Sequence, residues 1–157
     1  MNKILQLVLS LALLPASFSN YAAPHFQNAQ NQFITDSLYK NRKDYALLYF
    51  VQPGCAYCKQ QLPVMNTFQQ ETGWYYKTID IVQNPEVRSK FNVNGTPVIV
   101  LIKRNSGANN WQTVSIGFSE LSTLREDVFK LVRVLNGQAP QGPLYVRSMN
   151  NSITPIN

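Results

Sequence analysis

The chain has few cysteines, few charged residues and no long apolar segment. Its 157 residues include two Cys and one His, and charged residues make up 14% of the sequence. Two cysteines are too few for a disulfide-dense scaffold or for a four-cysteine zinc site. The sequence also lacks a glycine-rich phosphate loop and an HExxH motif. These absences argue against a P-loop nucleotide-binding protein and against an HExxH metalloprotease.

Hydrophobic residues, in contrast, are plentiful. They make up 45% of the chain, which excludes a disordered or low-complexity protein. A chain of this length can form one domain with a sizeable core. The formal net charge is +6, but the basic residues are spread along the sequence and form no stripe with interleaved aromatic residues. We therefore predict a solvated basic surface, with some attraction to acidic partners, and no nucleic-acid partner.

Residues 1–23 have the pattern of a secretory signal peptide. Lys3 precedes an apolar run from Ile4 to Leu14, and small residues follow as far as Ala23. The apolar run is shorter than the roughly 20 residues that span a bilayer, which favours cleavage over an uncleaved anchor. We therefore predict an exported, periplasmic protein that has no integral membrane segment after signal removal. Disulfides form and persist in that compartment.

The remaining sequence divides into three segments. We predict a helical segment over 24–43, a domain over 44–136 and a flexible tail rich in Pro, Gly and Asn over 137–157. Strand and helix patterns alternate in the domain, and its last two strands are separated only by a polar turn. Strands separated by helices should be parallel, and the last two strands should form an antiparallel hairpin. The predicted fold class is α/β, a mixed sheet flanked by helices.

Two helix details follow from the same patterns. The helix that follows the first strand should carry Leu62, Met65, Phe68 and Gln69 in register on one face. Ser119 should cap the last helix, because a serine hydroxyl accepts a hydrogen bond from an unpaired backbone N–H in the first helical turn.

The motif that carries chemistry is Cys55-Ala56-Tyr57-Cys58, between the first strand and the next helix. At a helix N-terminus, the dipole and the free N–H groups would stabilise the Cys55 thiolate. Cys58 lies about one helical turn further on. We therefore predict that Cys55 attacks a substrate disulfide and that Cys58 resolves the mixed disulfide. Tyr57 must lie near the surface and should form part of an apolar substrate rim.

Two other interpretations of the motif remain open. The cysteines could form a structural disulfide, although so short a loop constrains the unfolded chain little. They could also be half of a zinc site, but His25 is the only histidine, and four ligands would need a dimer or unusual carboxylates. We favour redox chemistry, with no metal and no cofactor other than the Cys55–Cys58 pair.

From about Ala46 to Leu135 the chain resembles the thioredoxin family. Pro63 matches the proline that kinks the active-site helix, and Gly117-Phe118-Ser119 matches the segment that precedes the last helix. The stretch 83–103 resembles the family's path into the proline loop and central strand. The resemblance implies a thioredoxin fold in which the Thr96-Pro97 bond is cis and faces the CxxC motif. Thr96 would then pair in β fashion with an extended substrate.

The tetrapeptide Cys55-Ala56-Tyr57-Cys58 indicates which thioredoxin-like proteins the chain resembles more closely. Ala-Tyr between the cysteines and Thr before the proline resemble periplasmic disulfide isomerases of the DsbC kind. A short exported domain with this motif is also similar to the TrbB/TraF-type thioredoxin-like proteins of conjugative transfer systems. The chain has too few residues before the fold for the separate dimerisation domain of DsbC-type isomerases.

One feature of thioredoxins is missing from the first strand. They carry a buried Asp there, which is thought to move a proton to or from the resolving cysteine. Tyr49 occupies that position, six residues before Cys55. Proton transfer would then depend on water or on another group such as Lys59 or Glu71.

Two functional hypotheses follow. The first is a thiol:disulfide isomerase or reductase acting on exported proteins, including those of a conjugative or type IV secretion system. A membrane or periplasmic redox partner would recycle its dithiol. The second is a non-catalytic assembly factor of a secretion apparatus that uses the fold only for binding.

Overall fold

The computed structural model describes residues 24–106, 110–138, 145–147 and 153–155, with side chains in 28–106 and 110–138. The predicted signal peptide, residues 1–23, lies outside the described residues. No helix in the described part of the chain is long and apolar enough to cross a membrane. In chain order the elements are α1 (Pro24–Asn41), β1 (Tyr45–Val51), α2 (Ala56–Thr72), β2 (Tyr76–Asp80), α3 (Glu86–Lys90), β3 (Val98–Lys103), β4 (Trp111–Ile116), α4 (Leu121–Leu135), β5 (Tyr145–Arg147) and β6 (Ile153–Pro155).

Four strands form a mixed sheet in the order β2-β1-β3-β4. β1 is parallel to β2, and β3 and β4 form the predicted antiparallel hairpin. The prediction that strands separated by helices are parallel is wrong for β1 and β3, which pair in antiparallel fashion. The five-residue helix α3 rises only about 7 Å, too little to return the chain along a strand of roughly 20 Å. The chain therefore enters β3 from the end of the sheet at which β2 stops.

The central strands β1 and β3 are buried on both faces, which explains their continuous apolar sequences. Along β1, Tyr45, Leu47 and Tyr49 point into the larger core cluster, beneath α1, α2 and α4. Leu48 and Phe50 point into the smaller cluster on the α3 side. The alternation of β1 side chains thus joins the two halves of the core.

The buried face of α2 is rotated from the predicted one. Met65 and Phe68 are buried as predicted, but Leu62 is 43% exposed and Gln69 is also exposed. Gln61 is fully buried instead, in register with Cys58, Met65 and Phe68. The prediction for Leu62 is wrong because the large side chains of Met65 and Phe68 and the disulfide-bonded Cys58 determine which face of α2 packs on the sheet.

Helix α4 begins one residue later than predicted. Its N-cap is Glu120, which makes no side-chain capping hydrogen bond. The prediction that Ser119 caps this helix is wrong, because the Ser119 backbone is held by Gln61 of α2. Within the described residues the Ser119 hydroxyl has no hydrogen-bond partner.

The chain from residue 137 onwards contains a short strand pair. Gly137 follows α4 with a positive φ of 72°, a backbone conformation that glycine adopts at low cost. β5 then pairs with β6 in antiparallel fashion. The other residues of the predicted tail, 139–144, 148–152 and 156–157, lie outside the described residues.

Candidate functional site

The CxxC motif occupies the N-terminus of α2. Cys55 is the N-cap residue, and its Sγ accepts a hydrogen bond from the Cys58 N–H at 3.0 Å. The two cysteines form a disulfide with an S–S distance of 2.02 Å. Cys55 is partly exposed, whereas Cys58 is 7% exposed. The site therefore presents one sulfur to solvent and keeps the other beneath it.

The predicted proline loop lies at the same end of the sheet. Phe50, near the end of β1, is in register with Val98 at the start of β3. Pro97 immediately precedes Val98, and the Thr96–Pro97 peptide bond is cis. Because β1 leads directly into the CxxC turn, this register places the Thr96–Pro97 loop beside the disulfide.

Backbone groups of this loop are available to a ligand. Thr96 is 6% exposed, and its Oγ1 has no hydrogen-bond partner within the described residues. The backbone hydrogen bonds of the described turns and loops leave the Thr96 N–H and C=O unused. The Pro97 C=O is occupied, because it accepts from the Gly117 N–H at 2.8 Å. An extended peptide could therefore pair with Thr96 in the manner of an added strand.

The buried side chain of Gln61 joins the 117–119 loop, which precedes α4, to α2. The Gln61 Oε1 accepts from the Ser119 N–H at 2.7 Å, and its Nε2 donates to the Ser119 C=O at 3.1 Å. Both polar ends of a fully buried side chain are thus satisfied by one backbone residue. This pairing fixes the 117–119 loop against the helix that carries the disulfide.

Three large apolar side chains on and beside the N-terminal half of α2 are exposed. Tyr57 is 56% exposed, and Leu62 and Phe118 are each 43% exposed. Tyr57 and Leu62 come from α2, and Phe118 comes from the loop that Gln61 holds. Phe118 also lines a cleft of about 280 Å³ at the start of α4. Together these side chains form an apolar rim, of which the sequence prediction included only Tyr57.

Tyr49 lies directly beneath the resolving cysteine. Its hydroxyl donates to the Cys58 carbonyl oxygen at 2.6 Å, and its ring contacts Tyr76 edge to face. Burial, and to a lesser extent Tyr76, raises the pKa of Tyr49 to about 12. Tyr49 is therefore a neutral hydrogen-bond donor at physiological pH, and it cannot accept a proton from Cys58.

Neither alternative proton carrier is buried with Cys58. Glu71 is at the far end of α2, roughly 20 Å along the helix from Cys58, and it pairs with Arg125 at 2.8 Å. Lys59 is exposed. Glu71 is thus excluded as the group that serves Cys58 directly.

The site is matched by a known family model. The model, described as "TraF: F plasmid transfer operon protein", covers residues 11–129. This chain belongs to the TraF family.

Individual proteins are similar to this TraF-family chain in sequence or in structure. The SPbeta prophage-derived thioredoxin-like protein YosR of Bacillus subtilis is 30% identical over 84 residues, which are 52% of this chain and 96% of YosR. A protein disulfide oxidoreductase from Aeropyrum pernix superposes with a TM-score of 0.50 at 16% identity, covering 68% of this chain and 44% of that one. Chloroplastic thioredoxin z superposes with a TM-score of 0.48 at 19% identity, covering 62% of this chain and 86% of thioredoxin z. The TraF-family chain has the thioredoxin fold.

No group of three or more His, Cys, Asp or Glu side chains that could hold a metal occurs among the described residues. The side chain of His25 lies outside them. In the structure the two cysteines are bonded to each other. A thioredoxin fold with a CxxC disulfide supports thiol:disulfide oxidoreductase activity in this TraF-family protein.

Sequence reasoning missed Gln61, Leu62 and Phe118 as parts of the site. Phe118 stood in the segment matched to thioredoxins, but its exposure was not foreseen. The helical register from Cys58 through Met65 passes through Gln61, but hydrophobicity favours its neighbour Leu62 for the buried face. The partner of Gln61, Ser119, is distant in sequence, so the sequence contains no direct signal for the pairing.

Proposed function

We propose that this TraF-family protein is an exported, periplasmic thiol:disulfide oxidoreductase that isomerises or reduces disulfides in exported proteins. The observation that carries the proposal is the unequal exposure of the two cysteines at the N-terminus of α2. Cys55 is open to attack on a substrate, and Cys58 is buried one turn further on. This is the arrangement that a nucleophile and a resolving thiol require.

The reaction starts from the reduced pair. The Cys55 thiolate attacks one sulfur of a substrate disulfide, forms a mixed disulfide and releases the other substrate sulfur as a thiolate. Cys58 then attacks the Cys55 sulfur, which forms the Cys55–Cys58 disulfide and releases the second substrate thiol. Two electrons pass from the protein to the substrate. In isomerisation a substrate thiolate displaces Cys55 instead, and no net electrons are transferred.

The surroundings of the disulfide support a polypeptide substrate. The unpaired backbone of Thr96 offers a short β pairing, with Pro97 fixing the loop, and the rim of Tyr57, Leu62 and Phe118 offers apolar contact. The pair needs no cofactor. A membrane or periplasmic redox partner must return it to the dithiol after each reduction. The description of the family as a transfer operon protein supports substrates in a conjugative or type IV secretion apparatus.

The two cysteine variants test the proposal. Cys55→Ser should lose all reduction and isomerisation of a scrambled disulfide-containing protein, because the attacking thiolate is gone. Cys58→Ser should keep the attack and accumulate mixed disulfides, visible as adducts on a non-reducing gel. Turnover by Cys55→Ser would contradict the assignment of the nucleophile.

The redox state of the pair in living cells tests the direction of the reaction. Acid-quenched thiol alkylation followed by a gel shift should find the pair mostly reduced, as an isomerase or reductase needs. A mostly oxidised pair would contradict both roles.

A variant without either cysteine, Cys55→Ser/Cys58→Ser, tests the alternative function. If this variant fully supports the conjugative or secretion process in cells, the protein is instead a non-catalytic assembly factor.

A further inference from the structure

Five cationic side chains gather at the end of the sheet opposite the disulfide. We call this end the basic pole and define it by Lys40, Arg42, Lys43, Lys103 and Arg104. The end of α1, the start of β1 and the end of β3 meet there. Tyr45 is in register with Lys103, and the Arg104 N–H donates to the Asp44 carbonyl at 2.7 Å. Residues that are spread along the sequence thus form one surface in the fold.

Two half-exposed tyrosines belong to the same surface. Tyr39 is 51% exposed and Tyr75 is 52% exposed. The Arg42 guanidinium lies 3.5 Å above the centre of the Tyr39 ring, and the Arg104 guanidinium lies 5.8 Å from the centre of the Tyr75 ring. The basic pole therefore combines cations with amphipathic rings.

The positive charge of the pole is largely uncompensated. All eight acidic residues of the chain lie in its described part, and the ion pairs there involve Arg125 and Lys130 but no cation of the basic pole. Asp44 lies within the pole, and Asp36 lies one turn before Lys40 on α1. Glu71, two residues before Gly73, also lies near Arg42 but is paired with Arg125, so the five cations of the pole outnumber the carboxylates at this end.

We propose that the basic pole docks the protein on an anionic phospholipid surface. Long cationic side chains reach lipid phosphates, and tyrosine rings are favoured at the level of the headgroups. A specific protein interface would instead be expected to have an apolar, desolvated centre. Single-stranded nucleic acid would need free ring faces for base stacking, but Arg42 already covers one face of Tyr39.

Docking through this surface would leave the disulfide free. β1 runs from the pole at Tyr45 to the active-site end at Val51, a distance of roughly 20 Å. The CxxC motif would then face away from the lipid surface. The proposal does not depend on the redox function, because no residue of the basic pole belongs to the active site.

Vesicle co-sedimentation of the full chain tests the proposal. Binding is measured to anionic phosphatidylglycerol vesicles and to neutral phosphatidylcholine vesicles. Any apolar binding by the N-terminal segment is common to both lipids, so the difference between them reports the electrostatic contribution. The test variant is Lys43→Gln/Arg104→Gln. The matched control is Arg88→Gln/Lys90→Gln, at α3, which removes the same charge from exposed positions.

We expect preferential binding to phosphatidylglycerol that weakens as NaCl is raised. Each cation near an anionic surface changes affinity about fivefold, so the test variant should bind about 25-fold more weakly. The control should remain within about threefold of the unmodified chain.

Three results would overturn the proposal. One is equal binding to the two lipids, and another is equal loss in the test and control variants, which would indicate a diffuse charge effect. The third is pole-dependent binding to a single-stranded oligonucleotide without pole-dependent binding to phosphatidylglycerol. That result would assign the surface to nucleic acid. Equal thermal melting of both variants and the unmodified chain provides the check on folding.

Discussion

Tyr49 lies where the thioredoxin resemblance places a buried acidic residue, and it has a different chemical role. A buried carboxylate can accept a proton from the resolving thiol, whereas a phenol with a pKa of about 12 stays protonated. Its hydrogen bond to the Cys58 carbonyl instead fixes the backbone at the resolving cysteine. Tyr49 is thus a positioning residue, which leaves solvent and Lys59 as the candidates for taking the proton of Cys58 during resolution.

The Tyr49→Phe variant separates positioning from proton transfer. Resolution of a mixed disulfide should keep the same pH profile in this variant, because no proton acceptor is removed. The free energy of unfolding should fall by about 1–2 kcal/mol, since the Cys58 carbonyl loses a buried hydrogen bond. Stopped-flow kinetics from pH 6 to pH 9 and urea unfolding measure the two effects.

Tyr76→Phe is the matched control for this variant. Its hydroxyl bonds to the exposed Asn66 side chain, where water can replace the lost bond, so its cost in stability should be smaller. A change in the pH profile of resolution in Tyr49→Phe alone would show that the Tyr49 hydroxyl takes part in proton transfer.

At the scale of elements, α2 shows what a helical pattern can and cannot predict. Its existence, its start at the CxxC motif and its end at Gly73 all follow from the sequence. The choice between Leu62 and Gln61 for the buried face does not, because hydrophobicity favours leucine. Burial of Gln61 costs little only because the Ser119 backbone satisfies both ends of its amide. That partner comes from a segment distant in sequence.

The Gln61–Ser119 pairing should be a major link between the two elements that flank the disulfide. Gln61→Leu fits an apolar side chain into the space but leaves the Ser119 N–H and C=O without partners. We expect the free energy of unfolding to fall by about 2–4 kcal/mol, measured by urea denaturation.

Gln60→Leu is the control for this change, because Gln60 is the exposed neighbour on the same helix. Its effect should stay within about 0.5 kcal/mol. If Gln61→Leu were as stable as Gln60→Leu, the 117–119 loop would be held by packing rather than by this side chain.

At the scale of the whole molecule, the elements were more predictable than their arrangement. The apolar run from Tyr45 to Val51 indicates β1 with its observed ends, because a buried strand carries that signal locally. The sequence does not predict the antiparallel pairing of β1 with β3, since this pairing depends on how far the short helix α3 can carry the chain. The basic pole could not be predicted from the sequence for a related reason. Lys43 and Arg104 meet only because Tyr45 and Lys103 share a register.

The buried Tyr45 and Tyr49 and the partly buried Tyr76 link the stability of the whole fold to alkaline pH. Burial raises the pKa of Tyr45, with a further contribution from the Asp44 charge. Burial also raises the pKa of Tyr49, to about 12, and that of Tyr76. An unfolded tyrosine ionises near pH 10. The folded state therefore favours the neutral phenols, and their contribution to stability is fully present only below about pH 10.

Stability should consequently fall as the pH rises through 10 towards 12. Linkage gives a loss of roughly 1 kcal/mol at pH 11 from Tyr49 alone. Urea unfolding at pH 8, 10 and 11 should show a smaller loss in Tyr49→Phe than in the unmodified chain. Tyr57→Phe, at an exposed position, should lose as much as the unmodified chain. An equal loss in Tyr49→Phe would mean that ionisation of Tyr49 does not drive the alkaline destabilisation.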